Sequence, residues 1–169
     1  MKPFRIRQLE MTDAQALLAF EVDNRAWFEA HIDARDPAFY SWAGVNEHIQ
    51  RYLADFAAGT WQPFVIEDSS GRIVGRANLK NIHSPLDTAE VGYRIGQQAC
   101  GQGLATSALK HLIQEARQRW KLTQLVAYVY ESNVGSRKVL ERCGFLPEAL
   151  AIGETAAGEH RFVLSMVNR

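Results

Sequence analysis

The sequence predicts a mixed α/β fold, with a mostly antiparallel central sheet flanked by helices. Three strand-like runs follow one another between residues 63 and 95 with short polar connections, which favours antiparallel pairing. A long amphipathic helical pattern then separates the last of these runs from another apolar run, and such a crossover places its two strands parallel in one sheet. The 169 residues are enough to bury a core, so a single domain over 1–169 is expected.

The composition limits the possible partners. Lys plus Arg and Asp plus Glu both number 19, and a formal net charge of zero argues against nucleic-acid binding driven by charge. The sequence has no apolar run long enough to cross a bilayer and begins with no signal peptide, which predicts a cytoplasmic protein without a membrane partner. Cys100 and Cys143 are isolated, so neither a disulfide framework nor a metal site is expected.

The N-terminal part reads as a strand, a helix, an aromatic-rich segment and a second helix. Residues 4–9 alternate apolar and polar side chains, as in a half-buried strand. Thr12 or Asp13 can cap the helix that follows. The segment from 27 to 42 is rich in aromatic residues, which either pack under a loop or line a pocket. The second helix is predicted from Val45 to Ala58, where a glycine ends it.

Three strands come next in the chain. Pro63–Glu67 and Ile73–Asn81 flank the linker 68–71, whose Asp-Ser-Ser-Gly sequence has good hairpin turn chemistry. After a polar loop, the third strand is predicted from Thr88 to Ile95.

The helix after the third strand has the clearest periodicity, and the elements beyond it complete the sheet. Leu125–Tyr130 is apolar without alternation, as in a strand covered on both faces. A short helix over 133–142 and a strand pair over 145–152 and 160–167 follow. The apolar stripe of the long helix consists of Leu104, Ala105, Ala108, Leu109, Leu112, Ile113, Ala116 and Trp120.

A glycine turn lies where the third strand gives way to the long helix, in the stretch Gln98-Ala99-Cys100-Gly101-Gln102-Gly103-Leu104-Ala105. The first N–H groups of a helix lack intrahelical partners, and residues without a Cβ let them approach phosphate oxygens. The stretch therefore predicts an anion-binding turn for a phosphate-bearing cofactor, unless the glycines serve turn geometry alone. A dinucleotide fold is disfavoured because Thr106 replaces the third glycine, and a P-loop lacks its Gly-Lys-Ser/Thr.

The glycine turn and the later stretch from Asn133-Val134-Gly135-Ser136 to Gly144-Phe145 together resemble the GNAT superfamily of acetyl-CoA-dependent N-acetyltransferases. Within it, the chain looks most like the RimJ/RimL branch, which acetylates protein N-terminal amines. Asn24-Arg25, Ala77–Asn81 and Gly92-Tyr93 agree with this resemblance. It implies a GNAT fold in which the two parallel strands splay apart.

The resemblance also implies where acetyl-CoA binds and what accepts the acetyl group. The pantetheine arm would pair with the strand at Tyr93, Arg94 and Ile95, and Asn133 and Ser136 would contact the cofactor near the second helix. The expected acceptor is a protein N-terminal amine or, alternatively, a small amine; no metal is expected, and the protein is a monomer or a homodimer. The pyrophosphate would rest on the turn, which contributes Gln98, Gly101, Gln102, Gly103, Leu104 and Ala105.

Two residues are the candidates for proton handling, since acetyl transfer requires a deprotonated amine and a stabilised thiolate. Glu90 is the predicted base; its alternative role is a carboxylate opposite Arg76 or Lys80 on the neighbouring strand. Many GNAT enzymes use a Tyr to protonate the thiolate, but that position holds Leu140. Ser136 is then expected to orient a water or the thiol. Without that Tyr, a non-catalytic CoA-binding sensor or partner-binding module stays open as an alternative function.

Overall fold

The computed structural model describes residues 3–30, 33–83, 85–148 and 158–167. Within this part of the chain, one seven-stranded sheet has the order β1-β2-β3-β4-β5-β7-β6. Only β4 and β5 pair in parallel, which confirms the predicted mixed, mostly antiparallel sheet. The strands are β1 (Arg5–Gln8), β2 (Gln62–Glu67), β3 (Ile73–His83), β4 (Thr88–Ile95), β5 (Gln124–Tyr130), β6 (Leu146–Glu148) and β7 (Glu159–Ser165).

Helices cover both faces of this sheet. On one face, α1 and α3 enclose a core that includes Leu17, Ile49 and Val65. On the other face, α4 buries its apolar stripe against the sheet, and α5 lies beside α4. No helix in the described ranges combines the length and apolar character needed to cross a membrane. The helices are α1 (Ala14–Asp23), α2 (Arg25–Glu29), α3 (Trp42–Ala57), α4 (Leu104–Gln118) and α5 (Val134–Arg142).

Strand register assigns side chains to these two faces. Val65, Arg76 and Arg94 lie directly opposite one another on β2, β3 and β4, and they face α1 and α3. Ala77 and Tyr93 form the neighbouring row and belong to the core under α4. Because side chains alternate along a strand, adjacent residues of β4 point into different compartments.

The parallel strands β4 and β5 pair over only a short distance. Their register runs from Thr88 opposite Gln124 to Glu90 opposite Val126, and the ladder ends there. Residues 91–95 of β4 therefore have no β5 partner, and backbone groups on that edge need other partners. The splayed pair that the resemblance implied is present.

Several element boundaries differ from the prediction. Helix α3 begins at Trp42 rather than Val45, because the Ser41 hydroxyl caps it by accepting a hydrogen bond from the Gly44 N–H at 3.0 Å. Asp13 does not cap α1, since its carboxylate accepts hydrogen bonds from Arg7 and from the Glu10 N–H instead.

At the C-terminal end, the structure describes part of the predicted strand pair. Strand β6 begins at Leu146, and residues 149–152 of the strand predicted over 145–152 lie outside the described ranges. Residues 153–157, which connect the two predicted strands, lie outside them as well.

Candidate active site

The glycine turn has the backbone geometry that an anion site requires. Gly101 and Gly103 have φ values of +79° and +77°, which glycine adopts far more readily than other residues. A Cβ at either position would have no heavy atom within 4 Å, so both face open space. Helix α4 starts at Leu104 without a side-chain cap, which leaves its first amides and the positive end of its dipole facing that space.

Asn24 connects this turn to the helices on the other face. Its Oδ1 accepts a hydrogen bond from the Gln97 N–H at 2.9 Å, and its Nδ2 donates to the Phe20 carbonyl at 2.9 Å. The amide thus fixes the entry to the glycine turn relative to the end of α1.

A hydroxyl pair links the unpaired part of β4 to α5, the helix that follows β5. The hydroxyls of Tyr93 and Ser136 lie 2.9 Å apart. Asn133 caps α5, since its Oδ1 accepts a hydrogen bond from the Ser136 N–H at 3.2 Å, a role that asparagine often has at the start of a helix. Burial raises the pKa of Tyr93, although the Ser136 hydrogen bond acts in the opposite sense, so the phenol is protonated at neutral pH.

The position where many GNAT enzymes carry a Tyr has a packing role in this chain. Leu140 is 1% exposed and belongs to the main core. The Tyr93–Ser136 pair instead supplies hydroxyls at the splay. Sequence reasoning assigned Tyr93 only a backbone contact, because its partner lies 43 positions away.

The two cysteines are free, Cys100 exposed and Cys143 half-buried. Partial burial raises the pKa of both thiols, which keeps them in the less nucleophilic protonated form. In the described ranges, no group of three or more His, Cys, Asp or Glu residues could hold a metal ion.

Glu90 occupies the last paired position of β4 before the splay. It lies opposite Lys80, with 3.8 Å between Nζ and Oε2, so Lys80 is the cross-strand partner and Arg76 is not. The Lys80 side chain crosses Gly92, where an added Cβ would lie 2.4 Å from Lys80 Cε. Burial lowers the pKa of Lys80 while Glu90 opposes that shift.

A buried charged group, here called the arginine cluster, lies between β3, β4 and the helices α1 and α3. Glu21 is fully buried; Oε2 accepts from Arg76 Nη1 at 2.9 Å and Oε1 from Arg94 Nη1 at 3.0 Å. Arg35 approaches it at 3.7 Å. Burial alone would raise the pKa of Glu21, but the three arginines outweigh burial and lower it. The fifth member of the cluster is His48.

His48 adds no charge to the arginine cluster. Its Nε2 lies 2.8 Å from Arg76 Nη2 and must accept, because a guanidinium has no acceptor; the proton is therefore on Nδ1. Burial and the neighbouring arginines lower the pKa of His48 to about 2. The cluster thus holds three positive charges and one negative charge.

Aromatic rings hold these guanidinium groups in place. Arg94 lies 4.6 Å over the ring of Phe28, and Arg35 lies 4.4 Å over that of Phe39. Phe28 is also part of the core, so the aromatic segment both packs in the interior and contacts the charged site.

Comparisons with known proteins agree with this fold. A family model described as "Acetyltransferase (GNAT) domain" matches residues 4–146. A Bacillus subtilis (strain 168) protein named Probable N-acetyltransferase YjcK is 31% identical over 152 residues, covering 89% of this chain and 84% of that protein. The structure of the ribosomal-protein-S5-alanine acetyltransferase from Vibrio fischeri superposes with a TM-score of 0.89 at 21% identity, covering 98% and 97% of the two chains. Mycobacterium smegmatis RimJ, in complex with CoA-disulfide, superposes with a TM-score of 0.84 at 24% identity, covering 96% and 81%.

Proposed function

This chain belongs to the GNAT family of acetyltransferases, and we propose that it transfers the acetyl group of acetyl-CoA to the N-terminal amine of a protein. The observation that carries the proposal is the splayed β4–β5 pair, whose free β4 edge runs directly into the uncapped glycine turn. The acceptor is proposed by analogy with structural neighbours named as ribosomal-protein acetyltransferases.

The residues around the splay fit acetyl-CoA. In the proposal, the backbone of Tyr93, Arg94 and Ile95 pairs with the pantetheine amides, as an added strand would. The amides from Gly101 to Ala105 accept the pyrophosphate on the helix dipole, with Gln98 and Gln102 beside them. Asn133 and Ser136 contact the pantetheine end from the start of α5.

Transfer follows by direct attack of the amine while both substrates are bound, so no nucleophilic side chain is required. The nitrogen bonds to the thioester carbon and the carbon–sulfur bond breaks. Backbone N–H groups on the free β4 edge stabilise the developing oxyanion. Glu90 receives the amine proton directly or through a water, and Ser136, held by Tyr93, donates its hydroxyl hydrogen bond to the departing sulfur.

An acceptor-dependent thiol assay tests this function. Peptides with free N-termini should release CoA, whereas the same peptides with blocked N-termini should not, because they lack the attacking nitrogen. A diamine and an aminoglycoside test the small-amine alternative. Acetyl-CoA binding without thiol release for any amine would favour the non-catalytic CoA-binding module.

Replacing Glu90 tests the proposed base. Glu90→Gln keeps the side-chain shape but removes the basic site, so kcat should fall at least about tenfold with little change in acetyl-CoA affinity. The pH–rate profile should be measured with acceptors of different amine pKa, because an acidic limb that belongs to the enzyme stays in place while one that belongs to the acceptor moves with its pKa. Near-normal turnover, with an acidic limb that tracks only the acceptor, would leave Glu90 as the cross-strand partner of Lys80.

A further inference from the structure

We propose that the arginine cluster is an anion subsite of the acceptor pocket, and that the enzyme selects amines carrying a carboxylate or phosphate near the reacting nitrogen. This inference rests on the proposed function, because it specifies the substrate class of the same site.

The arginine cluster carries an excess of positive charge. Within the described ranges, Glu21 is the sole carboxylate within 4 Å of the guanidinium groups of Arg35, Arg76 and Arg94. His48 is neutral, so two positive charges are uncompensated in a largely buried site. Such charge is unfavourable without a partner, and a bound oxyanion would supply one.

The cluster also has buried donors without a hydrogen-bond partner. The Arg76 side chain is only 3% exposed, yet its Nε has no hydrogen-bond partner, and the buried Arg35 Nε lies 3.7 Å from Glu21 Oε1, beyond hydrogen-bond distance. One arginine would be enough to pair with Glu21 and connect α1 to the sheet. The two further guanidinium groups and the unpaired Arg76 donor would suit a second anion, supplied by a ligand.

The cluster is partly exposed beside the proposed reaction centre. Arg94 and Arg35 keep 21% and 24% of their side-chain surface exposed, so a ligand can reach the cluster. Arg94 belongs to the β4 segment that is proposed to hold the thioester, and its side chain shares a face with Glu90. Four residues of strand span about 13 Å, which is the backbone separation of Glu90 and Arg94 along the face that the acceptor would occupy.

The guanidinium groups of the cluster are held in place. Arg94 lies over the Phe28 ring and donates to Glu21 at 3.0 Å, and Arg35 lies over the Phe39 ring and approaches Glu21 at 3.7 Å. A guanidinium that is already ordered loses less entropy on binding a planar oxyanion. Between this cluster and Glu90, Lys80 adds another positive charge over Gly92.

Matched acceptors test the inference. Peptides that begin Ala-Glu-Glu and Ala-Gln-Gln differ only in charge, and the acidic peptide should have a kcat/KM at least about tenfold above its amide-matched counterpart. A peptide that begins Ala-Lys-Lys reverses the charge and should be the poorest acceptor of the three. A phosphoserine peptide shows whether a phosphate serves better than a carboxylate. Two pairs of small amines, β-alanine with its amide and phosphoethanolamine with ethanolamine, show whether the anion alone is recognised without a peptide.

Two variants connect the preference to the cluster. Arg35→Gln should abolish it, mainly by raising KM for the anionic acceptors; Arg35 has the longest contact with Glu21, so the fold should persist. Arg94→Gln should also reduce the preference for anionic acceptors, and thermal unfolding should show whether this variant is folded. Arg72→Gln is the matched control, since Arg72 is 64% exposed on the β2–β3 hairpin, and it should keep the wild-type preference.

The outcomes separate the two proposals. Equal kcat/KM for acidic and amide-matched acceptors would overturn the anion subsite while leaving acetyl transfer intact. No thiol release with any amine would overturn the proposed function instead. In that case, calorimetry should compare the affinities of the acidic and amide-matched peptides for the enzyme–CoA complex. Equal affinities would overturn the anion subsite.

Discussion

The two faces of strand β4 are built from different chemistry. On the face covered by α4 and α5, Tyr93 meets Ser136, and the strand continues into a glycine turn that offers only backbone amides. On the face covered by α1 and α3, Arg94 joins a buried cluster of guanidinium groups around Glu21. The first face offers backbone amides and neutral hydroxyls, whereas the second carries the excess charge. The face proposed for the cofactor thus depends on generic backbone geometry, and the face proposed for the acceptor depends on specific side-chain chemistry.

The largest expected effect comes from removing Glu21, the carboxylate at the centre of the arginine cluster. Glu21→Gln leaves the buried Arg76 and the partly exposed Arg35 and Arg94 without their shared counter-charge, so the free energy of unfolding should fall by about 3–5 kcal/mol, measured by urea denaturation. Glu29→Gln removes a carboxylate from an exposed helix ion pair with Arg25 and should change stability by less than about 1 kcal/mol. Similar losses in both variants would mean that the cluster is well solvated.

A smaller effect on the same face concerns the pH dependence of stability. The folded pKa of His48 is about 2 against an ordinary value of 6.5, so its contribution to stability is present above pH 6.5 and is lost as pH falls toward 2. At pH 5 the loss is about 2 kcal/mol relative to pH 8. His48→Gln keeps an acceptor for Arg76 and should lack this decline.

The control for this pH effect is His160→Gln, at an exposed position on β7, which should decline in stability as the wild type does. A His48→Gln variant with an unchanged pH profile would contradict the assignment of His48 as a neutral, buried acceptor.

On the neutral face, the expected effect is on affinity. Gly103→Glu places a side chain and a negative charge where the pyrophosphate is proposed, so acetyl-CoA affinity should fall at least tenfold, or about 1.4 kcal/mol, by calorimetry. Gly71→Glu is a close match, because Gly71 also has a left-handed φ, of +85°, and no heavy atom within 4 Å of an added Cβ. Both should lose about 1 kcal/mol of stability, and only Gly103→Glu should lose affinity. Equal acetyl-CoA affinities would remove the cofactor from this turn.

The smallest expected effect separates capping from binding. Asn133→Ala and Ser41→Ala each remove an N-cap hydrogen bond and should each lower stability by about 1 kcal/mol, measured by thermal unfolding. Only Asn133→Ala should also weaken CoA binding, because Asn133 lies beside the splay. Unchanged CoA affinity in that variant would leave Asn133 as a cap alone.

Local pattern determined most of the face that is proposed to bind the cofactor. The strand–turn–helix from Thr88 through α4, the apolar stripe of α4 and the cap at Asn133 depend on residues close together in the chain, and the structure has all three. Helix periodicity, glycine conformation and capping are local properties, so a sequence expresses them directly.

The charged face was decided only by the tertiary structure. Glu21 meets Arg76 from 55 positions away and Arg94 from 73, and the 43 positions between Tyr93 and Ser136 hid the hydroxyl pair in the same way. A net charge of zero over the whole chain gave no sign of a local excess of two positive charges. Strand register brings Arg76 opposite Arg94, and the packing of α1 on that row provides the carboxylate. The interaction between two charges depends on their separation in space, and the order of residues in the chain does not reveal that separation.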